Sequence, residues 1–87
     1  MTREHFFVTG ALGCIGTWVV QNLLNDGAAV TVFDLAKDVR RWRLLMDDAT
    51  IARVNLVQGD ITQTETVLNA VEKAGATHII HLAGLQV

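Results

Sequence analysis

Residues 7–18 read Phe-Val-Thr-Gly-Ala-Leu-Gly-Cys-Ile-Gly-Thr-Trp, and this stretch decides the fold. An apolar strand runs into three glycines, and a helix is predicted to begin within the glycine run. Gly10 permits a tight turn, Gly13 places no side chain where a phosphate must approach, and Gly16 permits close helix–sheet packing. The backbone N–H groups at the start of the helix are then free to meet an anion. The pattern is typical of a turn that binds the pyrophosphate of a dinucleotide.

The segments around the glycines complete a strand–helix–strand unit. Residues 5–8 predict a buried strand, residues 15–24 carry apolar side chains at helical spacing, and residues 29–33 predict a second strand. The second strand ends at Asp34, which lies 18 residues after Gly16. An acid at this distance is expected to bind the ribose hydroxyls and to disfavour the 2′-phosphate of NADP, so NAD is the expected cofactor. A glycine turn used only for packing, with a solvated acid after the strand, is the simpler alternative.

The rest of the chain predicts two further helices and two further strands. A helix is expected over residues 37–48, because Val39, Trp42, Leu45 and Met46 would share one face. Arg40 and Arg41 would then lie on its solvated side, although both are candidates for binding a 2′-phosphate.

A third strand is expected over residues 53–58 and a fourth over 77–82. The helix between them is predicted to use Thr62 as its N-cap, with Glu65 completing a capping box, and to end at Gly75. Right-handed crossovers then give an α/β, Rossmann-type parallel sheet of four strands in the order 3-2-1-4, with three helices.

Three short motifs resemble those of the extended short-chain dehydrogenases/reductases, the NAD-dependent epimerase/dehydratase family. Thr9-Gly10-x-x-Gly13-x-x-Gly16 is similar to the family's glycine motif. Gly59-Asp60-Ile61-Thr62 resembles the turn after the third strand, where the acid and the next apolar residue meet the adenine. His81-Leu82-Ala83-Gly84 resembles the end of the fourth strand, beside the cofactor. The resemblance implies that residues 1–87 are the N-terminal part of an NAD(P)-binding Rossmann domain.

All candidate cofactor-binding residues follow the C-terminal ends of the predicted strands, where open parallel sheets bind ligands. They are Gly10, Gly13, Cys14, Ile15, Gly16, Asp34, Asp60, Ile61, Leu82, Ala83 and Gly84. Cys14 is expected to contribute its backbone N–H rather than act as a nucleophile. His78 and His81 are three residues apart on a strand, so they should face opposite sides of the sheet and hold no metal together.

The resemblance also implies an activity that this chain cannot complete. Family members act on nucleotide sugars or similar small molecules as epimerases, dehydratases or reductases, using a tyrosine whose pKa is lowered by a lysine four residues later. The 87 residues contain no tyrosine, so no catalytic residue is predicted here. We expect the cofactor-binding portion of a longer polypeptide, inactive by itself. A non-catalytic dinucleotide-sensing protein and a packing or interaction module are the alternatives.

Composition narrows the class of protein and its partners. With 51% hydrophobic and 18% charged residues the chain should be globular, and its net charge of −2 favours neither nucleic acid nor an anionic membrane as a partner. One cysteine and no signal-type apolar segment favour the cytoplasm. The fourth strand would leave an open apolar edge, so the expected partners are the dinucleotide and either the rest of the polypeptide or a self-association partner at that edge.

Overall fold

The computed structural model describes residues 4–82 and, for Cys14, the backbone alone. Four parallel strands, β1 (His5–Thr9), β2 (Ala29–Asp34), β3 (Asn55–Gln58) and β4 (His78–His81), form one sheet in the order β3-β2-β1-β4. The connections contain α1 (Cys14–Asn25), a 3-10 turn at Trp42–Leu44, α2 (Asp48–Ile51) and α3 (Thr64–Ala74). The Rossmann-type architecture and the strand order are therefore confirmed. Within residues 4–82, no helix is both long enough and apolar enough to cross a membrane.

The main core lies between α1 and one face of the two central strands. Because side chains alternate along a strand, Val8 of β1 and Val30 and Val32 of β2 point to this same face. The buried cluster consists of Val8, Ala11, Val20, Leu24, Val30, Val32, Trp42 and Met46. Ala11 belongs to the glycine turn, so that turn is anchored directly in the core.

The opposite face of the central strands combines aromatic and polar side chains. Phe7 and Phe33 are buried, and their ring centroids lie 5.9 Å apart. Thr31 is also buried, and its hydroxyl lies 2.7 Å from Nε2 of His5. Hydrogen bonds therefore satisfy the polar side chains that this face buries, which avoids the cost of an unpaired buried group. Among the described residues, every buried side-chain nitrogen and oxygen has a partner.

The two histidines of β4 lie on opposite faces of the sheet, as their spacing predicted. His78 stacks on Phe6, with ring centroids 4.7 Å apart, on the face that carries α1. Nδ1 of His81 lies 2.6 Å from Oγ1 of Thr9 on the other face. Among the described residues, no group of three or more potential ligands could hold a metal ion.

The single helix predicted over residues 37–48 is wrong: only the 3-10 turn and the start of α2 fall in this range. Two aspartates explain the interruption. A carboxylate oxygen of Asp38 accepts a hydrogen bond from the backbone N–H of Arg40 at 3.1 Å. Asp47 caps α2 by accepting one from the backbone N–H of Thr50 at 2.8 Å. Such local bonds offer the backbone an alternative to a continuous helix.

The apolar face predicted for that helix packs as expected despite its different backbone. Trp42 and Met46 are buried in the core cluster, and Val39 and Leu45 pack against it. Burial of these side chains, rather than regular helical spacing, therefore fixes the path of the segment between β2 and β3.

The predicted capping box at the start of α3 is also wrong. The N-cap is Gln63 rather than Thr62, and α3 begins at Thr64. The hydroxyl of Thr62 instead donates to Oδ1 of Asp60 at 2.7 Å, so it is committed to the turn before the helix. The predicted end is confirmed, because Gly75 adopts the left-handed conformation with φ of 67° at the C-cap.

Candidate functional site

The glycine turn joins the C-terminal end of β1 to the first residue of α1. Gly10 has a φ of 68°, a conformation that side chains disfavour, and its N–H donates to the carbonyl of Phe33 at 3.1 Å. A side chain at Gly16 would overlap the backbone of Ala11, so glycine is required for α1 to approach the turn. These two glycines therefore shape the turn itself.

Gly13 has a different role, because its missing side chain leaves space outside the protein core. A Cβ atom built at Gly13 would meet no other atom within 4 Å. Gly13 is the N-cap of α1, and no side chain caps this helix end. The first backbone N–H groups of α1, at Cys14, Ile15 and Gly16, therefore lack a side-chain acceptor, and together with the helix dipole they suit an anion.

Two carbonyl groups of the turn accept hydrogen bonds from side chains for which the sequence predicted no such bond. The buried indole Nε1–H of Trp42 donates to the carbonyl oxygen of Ala11 at 3.0 Å. The hydroxyl of Thr17, also buried, donates to the carbonyl oxygen of Gly13 at 2.7 Å. Trp42 was predicted only as a packing residue, and its hydrogen bond spans 31 positions of sequence, which no local pattern reveals.

An open groove of about 550 Å³ runs from the glycine turn to the end of β2. This volume falls within the usual range for small-molecule sites. Its lining residues are Leu12, Gly13, Asp34, Ala36, Asp38, Arg40, Arg41 and Leu44. The structure therefore brings Gly13 and Asp34 to one groove, as the order of strand, glycine turn, helix and strand predicted.

Asp34 is half-buried at the end of β2, where one carboxylate oxygen accepts a hydrogen bond from the backbone N–H of Ala36 at 3.3 Å. Its backbone carbonyl accepts another from Gly59 at 2.8 Å. These bonds fix the backbone around the carboxylate. The carboxylate retains lone pairs for further donors such as ribose hydroxyls.

Arg40 and Arg41 line the groove from an irregular segment rather than from the predicted helix face. The Arg40 guanidinium forms an ion pair with Asp38, with Nη2 2.6 Å from Oδ2 and Nε 2.9 Å from the same oxygen. Hydrogen bonds from Arg40 lower the pKa of Asp38, and the bond to Asp38 raises the pKa of Arg40. The pair is exposed, so it orients the guanidinium more than it stabilises the fold.

The other described candidates, Asp60, Ile61 and Leu82, lie at the same end of the sheet, after the edge strands β3 and β4. Asp60 and Ile61 follow β3, and the hydroxyl and backbone N–H of Thr62 lower the pKa of Asp60 by hydrogen bonding. Leu82 follows β4, packs against the core and donates its N–H to the carbonyl of Thr9 at 3.0 Å. Ala83 and Gly84 lie outside the described residues. Cofactor contacts at all these positions stay predictions.

Comparisons of the sequence and of the structure with known proteins all lead to the same family. Residues 6–87 match the model of the NAD dependent epimerase/dehydratase family. UDP-glucose 4-epimerase 3 from Oryza sativa subsp. japonica is 34% identical over 84 residues, which cover 91% of this chain and 22% of that protein. The UDP-glucose 4-epimerase from Pisum sativum is 28% identical over 90 residues, or 98% of this chain and 26% of that protein.

A solved structure extends the match to three dimensions. The UDP-glucose 4-epimerase of Thermus thermophilus, solved as a complex with NAD, is 31% identical and superposes with a TM-score of 0.71. The aligned region covers 92% of this chain and 24% of that structure. The chain thus spans about a quarter of the length of the relatives that it matches.

Proposed function

We propose that this chain, which belongs to the NAD-dependent epimerase/dehydratase family, is the NAD-binding portion of a larger enzyme. That enzyme would be a nucleotide-sugar epimerase or a related dehydratase or reductase. The observation that carries the proposal is the groove shared by Gly13 and Asp34. One end of the groove offers the uncapped start of α1 to phosphates, and the other offers a carboxylate to ribose hydroxyls. The partly positive start of α1 suits the negative pyrophosphate of a dinucleotide, and the negative carboxylate suits its hydrogen-bond-donating ribose hydroxyls.

Each part of the groove would bind a different part of the cofactor. The backbone N–H groups of Cys14, Ile15 and Gly16 would hold the pyrophosphate, and the absent side chain of Gly13 leaves it room. Asp34 would accept hydrogen bonds from the adenosine ribose. We further propose that Asp60 and Ile61 meet the adenine and that residues 82–84 border the cofactor at β4. NAD held by these residues would supply the group that accepts or donates a hydride.

Two acidic residues support NAD over NADP. The carboxylate of Asp34 would repel a 2′-phosphate on the ribose that it binds. Asp38 pairs with Arg40, so one of the two arginine cations that line the groove is already neutralised. The charges around the ribose end therefore favour the hydroxyl over the phosphate.

The proposed substrate class and the missing catalytic group rest on the relatives. The plant and Thermus relatives are UDP-glucose 4-epimerases, so a nucleotide sugar is the substrate that we propose for the whole protein. The chain contains no tyrosine, and we propose that a catalytic tyrosine and its lysine lie outside these 87 residues. A complete polypeptide that lacks this pair but binds NADH would instead favour a dinucleotide-sensing role.

The open edge of β4 supports a proposal about the partner. Among the described residues β4 pairs only with β1, and the Ile79 side chain is 60% exposed. We propose that a further part of the same polypeptide covers this edge, with a second copy of the chain as the alternative. The single cysteine is compatible with the reducing cytoplasm, which is the location that we propose.

Titration with NADH tests the cofactor proposal. Asp34→Ala should weaken NADH binding by about 1–3 kcal/mol, the scale of a lost hydrogen bond to a charged group. Gly13→Val should also weaken binding but leave the fold intact, because its side chain would extend into open space. Asp26→Ala is the matched control, since it removes the same charge at the opposite end of α1. The proposal is wrong if Asp34→Ala and Gly13→Val both retain the wild-type dissociation constant.

A further inference from the structure

Trp42 connects two parts of the groove that are far apart in the sequence. Its side chain is fully buried in the core, and its indole Nε1–H donates to the Ala11 carbonyl oxygen at 3.0 Å. Ala11 belongs to the glycine turn, whereas Trp42 follows Asp38, Arg40 and Arg41 in the segment that forms the other side of the groove. This hydrogen bond therefore fixes the two sides of the groove relative to each other.

The direction of the bond determines what the turn presents to a ligand. In a trans peptide unit, the carbonyl and the following N–H point in opposite directions. Because the Ala11 carbonyl is directed at the buried indole, the N–H of Leu12 is directed away from it. Leu12 and Gly13 both line the groove. The indole thus keeps the partial negative charge of the carbonyl out of a site proposed for an anion.

We infer that Trp42 is a positioning residue for dinucleotide binding, which acts through the Ala11–Leu12 peptide and does not itself touch the cofactor. The inference rests on the proposed function. If Trp42 only packed in the core, a folded variant without its hydrogen bond would bind the cofactor as tightly as the wild-type protein. The phenyl ring of a Trp42→Phe variant still occupies the core, although with less volume, whereas only the indole can donate the hydrogen bond. Cofactor affinity in the folded Trp42→Phe protein therefore separates positioning from packing.

The test compares the two tryptophans of the chain by NADH titration, using the emission of the nucleotide. Trp42→Phe should raise the dissociation constant about tenfold, the effect of losing one buried hydrogen bond. Trp18→Phe is the matched control, because Trp18 is 54% exposed, and it should bind NADH as the wild-type protein does. Circular dichroism must show that both variants are folded at the temperature of the titration. Unchanged affinity in folded Trp42→Phe would overturn the inference.

A measurement on the wild-type protein keeps the test decisive if Trp42→Phe does not fold. The chain has two tryptophans and therefore two indole N–H resonances, which nitrogen-15 labelling resolves. Saturation with NADH should shift the Trp42 resonance, because the peptide that it binds contacts the ligand's site. A Trp42 resonance that stays in place at saturation would overturn the inference while leaving the proposed function standing. Failure of the wild-type protein to bind NADH would overturn both.

Discussion

The β1–α1–β2 unit and the β3–α3–β4 unit have the same order of elements but very different burial. In the first unit, Phe7, Val8 and Val32 are inaccessible to solvent. In the second, none of the described side chains in its strands or helix is fully buried, and Leu68 is 59% exposed. The difference follows from strand position, because β1 and β2 are central whereas β3 and β4 are at the edges. The glycine turn and Asp34 both belong to the buried unit, so the groove proposed for the cofactor borders the better-packed part of the molecule.

The sharpest test of this contrast uses two residues that are partners in the sheet. Phe7 of β1 lies beside Ile79 of β4, but Phe7 is fully buried whereas Ile79 is 60% exposed. Phe7→Ala should lower the free energy of unfolding by about 3–5 kcal/mol, because it leaves a cavity. Ile79→Ala should change it by only about 0.5 kcal/mol. Urea denaturation measures both values, and equal losses would show that the two units are packed alike.

Two glycines give a smaller but more specific comparison. A Cβ atom at Gly16 would overlap the backbone of Ala11, whereas one at Gly59 would overlap the tip of the Phe33 ring. Since a ring can shift more easily than backbone, Gly16→Ala should cost about 2–3 kcal/mol and Gly59→Ala about 1 kcal/mol. Thermal unfolding of the two variants measures the difference. If Gly59→Ala were the more damaging, rigid packing would have to extend to the turn after β3.

The smallest expected effect is a pH dependence in the exposed unit. The hydroxyl and the backbone N–H of Thr62 lower the folded-state pKa of Asp60 below its unfolded value. The ionised carboxylate therefore stabilises the fold at neutral pH, and this contribution is lost as the pH falls through the folded-state pKa. Asp60→Asn should remove the loss of stability that protonation of Asp60 causes at low pH. The midpoint of urea unfolding, measured at several pH values, tests this. Thr62→Val, which keeps the N–H donor, should remove only some of that loss. A wild-type acid profile in Asp60→Asn would contradict the assignment.

The sequence predicted the parts of this fold that depend on local signals. Apolar runs ended by polar residues or glycine define the strands. The glycine spacing and the position of Asp34 after the second strand predicted that both lie at the same end of the sheet, where the groove is found. The continuous helix predicted over residues 37–48 is wrong because the Asp38 and Asp47 carboxylates bind nearby N–H groups, and such competition is hard to weigh from periodicity alone. The role of Trp42 was missed for another reason. Its hydrogen bond to Ala11 is a tertiary contact, which the spacing of residues does not encode.

The central position of β1 has a kinetic consequence as well. β1 meets β2 across a short helical crossover, but its bonds to the segment that leads into β4, such as His5 to Thr77, join residues 72 positions apart. Closing a long loop costs more entropy, and contacts between distant residues slow folding. The β1–α1–β2 unit can therefore form early in folding, whereas β4 must wait until nearly all of these residues have been synthesised. The backbone of the glycine turn can thus form before β4 joins the sheet, whereas its hydrogen bond to Trp42 also requires the segment after β2.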